Sequence, residues 1–420
     1  MVGSGILTNS GPILKSTGSY PALFILWTLG GVIAAIGAMT LAELASGLPR
    51  SGGDYVFVRE AFGPAIGFVY GWAMVLLGFA APVALVSYTT VNFLLVPLGL
   101  ANSPSAVYIG ATLLIITFTA AQCYSHRSSA WLQGATTLFK LAVLLLFAFG
   151  GFGGTGTLSH FSAGTPLAAV KFSDYAMGLV LVLYAYTGWN AAAYLGGEIR
   201  DAVRTLPWCL LLGTAAVAAL YLLVNLFYAF AVSVDDVKAL TDSELNRLAE
   251  ITVSRSLGNS TGALFSLLAG AGVLASLSAY LLTGPRIVYA MAHDRLFPSV
   301  AGKLGASGVP VPAVIFQGAF AIVFLWSGTF EQVLTFAGYG LTALGMLVVL
   351  PIYRLRGRPD FKPRFRVPGY PYTPAVFLIL SSLTLVGGAM EAPGTAVLSL
   401  LSILVGFPLY FLSRHFLSTP

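Results

Sequence analysis

The chain has 420 residues, 57% of them hydrophobic and only 9% charged, with a mean hydropathy of +0.87. No soluble domain buries that much apolar surface, so the composition excludes a water-soluble enzyme or binding module and makes lipid the solvent. The formal charge of +6 is spread over loops between apolar runs, which argues against a nucleic-acid partner and for a positive-inside topology.

The chain opens MVGSGILTNSGP, with Gly3-Ser4-Gly5 ahead of any full span. Glycine is a poor helix former and an easy place for backbone to unwind. The opening lacks the basic region and cleavage site of a signal peptide. After this fragment, eleven apolar runs are long enough to cross a bilayer. They lie near 21–47, 64–98, 105–123, 131–152, 174–197, 207–233, 261–292, 312–327, 331–354, 373–391 and 395–413. Counting the fragment as span 1, the chain has twelve, and the fold class is all-α integral membrane.

Alternate loops differ in charge. One set and the C-terminal tail carry 15 Lys and Arg, and the other set carries 5. The basic set is expected in the cytoplasm, with both termini inside a plasma (inner) membrane. In the longest outer loop, Thr241 followed by Glu244 fits a capping box. The inner stretch RLRGRPDFKPRFRVPGYPYTP reads as a rigid connector able to touch anionic lipid head groups.

Span 6 reads YAMGLVLVLYAYTGWNAAAYLGGEIRDAVRTLP and is interrupted at Thr187-Gly188. Interrupted spans at corresponding places in two halves point to a transporter built from inverted repeats. The pair here is spans 1 and 6, five spans apart. Broken backbone is tolerated in a membrane only where it lines a cavity or binds something. Freed N–H groups attract a carboxylate and freed carbonyls an ammonium, so the pattern suits an amino acid. A single glycine would more simply allow close helix packing.

Lys140 lies nine positions after Trp131, roughly 13 Å along a helix. A lysine that deep is better satisfied inside the bundle than by lipid, either as a fixed structural tie or as a titrating group. The acidic residues Glu43, Asp174 and Glu198 fall toward span ends, and span 3 has none. A cationic amino acid or polyamine needs a partner for its second charge, so a neutral substrate is favoured. No nucleophile triad, phosphate loop or metal cluster appears, and neither enzyme activity nor a cofactor is expected. The two cysteines, Cys123 and Cys209, are too few for a disulfide framework.

Several stretches carry a family resemblance. Gly3-Ser4-Gly5-Ile6 resembles the first-helix signature of the amino acid–polyamine–organocation permeases, and AELASGLPRSGGDYVFVREAFG their loop between helices 2 and 3. YAYTGWNAAAYLGGEIRDAVRTLP is similar to helix 6 of the L-type amino acid transporter branch. TGPRIVYAMAHDRLFP and RPDFKPRFRVPGYP match the inner end of helix 8 and the connector before helix 11. The resemblance implies a LeuT-type bundle of five plus five inverted spans with two appended, which divides the chain into repeats 1–152 and 174–356 and an appended 357–420. It also implies amino acid transport by alternating access.

In the family an inner half-helix and a tail precede the Gly-Ser-Gly. The expectation is therefore a misplaced start or a fragment, with Met1 internal to span 1. The resemblance further implies that Ser4, Gly5 and Ile6 bind the substrate carboxylate through backbone N–H groups. Carbonyls of Tyr184, Ala185 and Thr187 at the Gly188 break would take the amino group, with Gly3 opposite. Tyr186 or Trp189 would close as a lid, and Asn190 would bind substrate or steady the turn. Lys140, bridging to Ser276, would replace a sodium ion and make transport sodium-independent, by exchange or proton coupling. Glu43 and Glu198 would meet inner-loop arginines in a cytoplasmic gate. The loop LGLANSPSA has no cysteine, so no disulfide-linked heavy chain is expected. A cationic amino acid or polyamine exchanger, or a non-transporting nutrient sensor, remains the alternative.

Overall fold

A computed structural model describes residues 2–48, 53–124, 130–191, 201–305 and 308–417. Two short helices, α1 (Gly5–Thr8) and α2 (Ser10–Thr17), precede α3 (Tyr20–Gly47). Ser19 caps α3 by accepting from the Ala22 N–H, and Pro21 occupies its first turn, where no N–H is needed. Next come α4 (Asp54–Phe62), α5 (Pro64–Ala73), a π-helical stretch over Met74–Ala80, and α6 (Ala81–Leu94). α7 (Pro104–Tyr124) and α8 (Ala130–Gly150) complete the first half.

The second half begins with α9 (Phe172–Tyr186), followed by α10 (Ala202–Ala231). Three short helices then form the long loop after α10: α11 (Val234–Lys238), α12 (Asp242–Leu245) and α13 (Leu248–Leu257). α14 (Asn259–His293), α15 (Val311–Trp326), α16 (Phe330–Val349) and α17 (Pro351–Leu355) follow. The chain finishes with α18 (Tyr372–Glu391), α19 (Pro393–Leu404) and α20 (Gly406–Leu417). Among the described residues, 9 helical segments are long and apolar enough to cross a bilayer, and Phe172–Tyr186 and Val311–Trp326 are shorter apolar helices.

The segment Pro64–Leu94 is almost entirely enclosed and forms the centre of the bundle. On α7 and α18, Leu113, Ile116, Val386 and Met390 are more than half exposed, as lipid-facing side chains must be. The Thr241–Glu244 pair forms the expected capping box, and Ser233 with Asp236 forms a second one. The Ser233 hydrogen bonds and the Arg255 guanidinium hold the Asp236 carboxyl below its ordinary value.

Ion pairs among the described residues join loops of one charge set or of the other. Lys15–Asp242 (3.2 Å) and Arg255–Asp236 (2.7 Å) lie in the sparse set. Arg59–Asp294 (2.7 Å) and Arg356–Glu43 (3.0 Å) lie in the basic set. Glu43 is fully buried, and its second oxygen accepts from the Val367 N–H at 2.6 Å. The connector is thereby strapped onto the C-terminal end of α3, with the Arg356 guanidinium stacked 4.0 Å over the Tyr370 ring.

Candidate functional site

α9 ends at Tyr186 because the chain turns sharply there. The Thr187 N–H and hydroxyl both donate to the Tyr184 carbonyl, at 3.0 and 2.7 Å. Gly188 then adopts φ +88°, a region that side-chain-bearing residues avoid. The carbonyls of Tyr186 and Thr187 accept no backbone N–H among the described residues.

The opening segment crosses α9 beside this turn. A Cβ on Gly5 would lie 2.7 Å from the Ala185 Cβ and 2.8 Å from its Cα, so the crossing demands glycine for contact. Gly5 starts α1 with ordinary φ, and so its requirement is steric and not conformational. The Asn9 side chain fixes the crossing by donating to the Leu181 carbonyl at 2.7 Å. Ser4 and Ile6 are buried, and the N–H groups of Ser4, Gly5 and Ile6 have no acceptor among the described residues. Buried donors left open at a helix start suit an anionic group.

A cavity of about 450 Å³ lies against this crossing. Gly3, Tyr186, Thr187, Gly188, Trp189, Asn190, Lys140 and Ser276 all line it. Tyr184 and Ala185 stand behind the wall, and so do Ser4, Gly5 and Ile6. The Ala185 carbonyl accepts from Tyr221 at 3.2 Å, and the Ile6 carbonyl from Tyr228 at 3.4 Å. Two of the three carbonyls expected to meet an ammonium, those of Tyr184 and Ala185, therefore already have internal donors.

The two aromatic lid candidates differ. Tyr186 is fully buried and its hydroxyl donates to the Trp27 carbonyl at 3.1 Å, which makes it a fixed wall in this conformation. Trp189 is half-buried, with its indole edge over Gly37 and its ring 6.2 Å from Phe377. Lys140 crosses from α8 to α14, where its ammonium donates to Ser276 Oγ at 2.8 Å. It also shares a small recess with Gly3 and Leu7. Glu43 lies apart from the cavity, under the connector, and Glu198 lies outside the described residues.

One expectation fails. No carboxylate was anticipated near the binding region, yet Asp54, fully buried, lines the cavity. It accepts from the Tyr70 hydroxyl at 2.9 Å and from the Asn190 amide. Sequence reasoning missed it because Asp54 belongs to α4, ahead of its span, and reads as an ordinary helix-start acid. Tyr70, Phe79 and Tyr280 were likewise not anticipated as cavity walls.

A model of the family described as amino acid permease matches residues 1–411. The chain is 26% identical over 434 residues to the mouse large neutral amino acids transporter small subunit 2, covering 100% of this chain and 79% of that protein. It is 28% identical over 441 residues to the mouse Asc-type amino acid transporter 1, with the same coverage. To the rat b(0,+)-type amino acid transporter 1 it is 24% identical over 430 residues, covering 99% of this chain and 85% of that one. With two helix ends meeting beside a cavity in an all-α bundle of the LeuT type, the chain belongs to the amino acid permease family, in its L-type branch, and is a transporter of amino acids and no enzyme.

Proposed function

We propose that the cavity binds a neutral α-amino acid and passes it across the plasma membrane by alternating access between two five-span inverted repeats. The observation that carries this reading is the meeting of two opposite backbone ends at one cavity. Gly3 brings the opening segment to the cavity wall, with the buried N–H groups of Ser4, Gly5 and Ile6 directly behind it as an anion site, and the open carbonyls of Tyr186 and Thr187 offer a cation site. A zwitterion satisfies both, and side chains of many sizes can follow it into about 450 Å³. Gly3 and Asn190 flank the substrate, and Trp189, the less buried aromatic, serves as the lid.

Among the described residues lining the cavity, Lys140 and Asp54 carry charge, one of each sign. A substrate of zero net charge keeps that balance. Asp54 is also the observation that favours the alternative, a cationic amino acid, and competition decides between them. Lys140, hydrogen-bonded to Ser276 beside Gly3, supplies a fixed cation where a metal ion would otherwise be needed, so transport is independent of sodium. Both termini face the cytoplasm, as the loop charges require, and Glu43 with Arg356 forms part of the inner closure. The chain works without a disulfide-linked heavy chain, since the loop after span 3 has no cysteine.

Proteoliposomes test the reading directly. Labelled leucine uptake is expected to be equal in sodium and choline buffers. Unlabelled neutral amino acids should compete, while N-acetylated and amidated analogues and lysine should compete poorly. Equal competition by the blocked analogues would remove the two-ended site, and a sodium requirement would remove the role of Lys140.

A further inference from the structure

Asp54 has no part in the two-ended backbone site, yet it is completely buried and reaches the cavity wall. An ionised carboxylate only accepts hydrogen bonds. The Asn190 amide must therefore turn its NH2 toward Asp54, as the hydrogen bond from Asn190 Nδ2 records. That leaves the Asn190 amide oxygen as its acceptor for whatever occupies the cavity. Tyr70, from α5, donates its hydroxyl to the same carboxylate at 2.9 Å and is also spent. At this place the wall presents acceptors and negative charge, contributed from both halves of the chain.

The opposite charge stands elsewhere. Lys140 lies beside Gly3 and is tied to Ser276, on the side where the reading above puts the substrate's own carboxylate. An acidic side chain on the substrate would meet Asp54 in a confined site of low dielectric, where like charges repel strongly. A side-chain amide, hydroxyl or alkyl group meets no such penalty.

We propose that Asp54 determines which substrate charge the cavity accepts. Its carboxylate sets the polarity of the Asn190 amide and shuts out acidic amino acids, while neutral ones, including those with hydrogen-bond donors, are admitted. The proposal rests on the reading of the cavity as the amino acid site.

Glutamine and glutamate are close isosteres that differ in charge, so their uptake ratio in proteoliposomes reads the proposal. The wild-type chain is expected to take glutamine far in preference to glutamate. Asp54→Asn should lower that ratio by about tenfold or more, the size of one removed charge repulsion. A merely structural role would lower both uptakes together, and an unchanged ratio would overturn the proposal. Tyr70→Phe removes a hydrogen bond and keeps the charge, so its ratio should stay at the wild-type value. A collapse equal to that of Asp54→Asn would assign the effect to packing and also overturn it. If Asp54→Asn does not give a monodisperse protein, Asp54→Ser removes the same charge with a smaller side chain. Its glutamine-to-glutamate ratio should fall in the same way, and an unchanged ratio would count against Asp54. If the wild type takes up no amino acid at all, the reading of the cavity fails, and that failure is distinct from an unchanged ratio.

Discussion

The two helix ends that meet beside the cavity are built on different principles. The break after Tyr186 is local: Thr187 folds back on the Tyr184 carbonyl through two hydrogen bonds, and Gly188 takes a φ of +88°. The helix start at Gly3–Gly5 has no such internal signature, because its glycines have ordinary φ. It is held from outside, by the contact with Ala185, the Asn9 bond to Leu181 and the Tyr228 bond to Ile6. One break is therefore written into its own few residues, and the other exists only when the rest of the bundle is in place. If alternating access works by changing packing between helices, the second kind is the one that can respond.

That contrast can be broken by substitution. The largest effect is expected at Gly5→Val, which drives side-chain atoms into the Ala185 backbone and should abolish uptake, at a packing cost of about 1–3 kcal/mol. Because the constraint is a contact, Gly5→Ala combined with Ala185→Gly should recover part of the uptake lost in Gly5→Ala alone. No recovery in the pair would show that the first break is conformational after all.

Gly188→Ala should act next most strongly, costing on the order of 1–3 kcal/mol through backbone strain. No neighbouring substitution should repair it, whereas Gly188→Asn should retain more uptake, since asparagine tolerates positive φ better. Equal uptake by the alanine and asparagine variants would contradict a local backbone origin. The smallest effect is expected from Tyr221→Phe, which removes a hydroxyl that donates to the Ala185 carbonyl and accepts from the Gly3 N–H, neutral hydrogen bonds of about 0.5–1.5 kcal/mol each. Its KM should rise by no more than about tenfold with the maximal rate little changed. A large loss of maximal rate would mean that Tyr221 holds the crossing together and does more than cap a carbonyl.

How much of this was legible in the sequence follows from the range over which each feature is encoded. The spans were legible because hydropathy is a local sum, and the observed helix ends fall within a few residues of the apolar runs, except for the run 174–197, whose helix stops at Tyr186 and whose far end lies outside the described residues. The Thr187-Gly188 break was legible because both residues that make it are adjacent. The Lys140–Ser276 pairing entered only through family resemblance, since those residues lie 136 positions apart. Asp54 was illegible for the same reason: its partner Asn190 is also 136 residues away, and nothing in the stretch GGDYVF marks it as a wall. The steric role of Gly5 could not be read either, because a glycine needed for contact and one needed for unwinding are the same letter.

The π-helical stretch over Met74–Ala80 has its own consequence for that wall. In a regular α-helix each residue turns about 100°, so Tyr70 and Phe79, nine positions apart, would point to roughly opposite sides. Both line the cavity. The wider π turns rotate less per residue and delay the helix enough to bring the phenyl ring round toward the side that the phenol already faces. Span 3 thus shows two successive stretches of its surface to one ligand space, with Tyr70 serving the carboxylate of Asp54 and Phe79 packing edge-on to Tyr280 with ring centres 6.3 Å apart. Restoring regular α-helical winding there would swing everything beyond Ala80 to a different azimuth and take Phe79 out of the wall, although no residue that binds substrate had been changed.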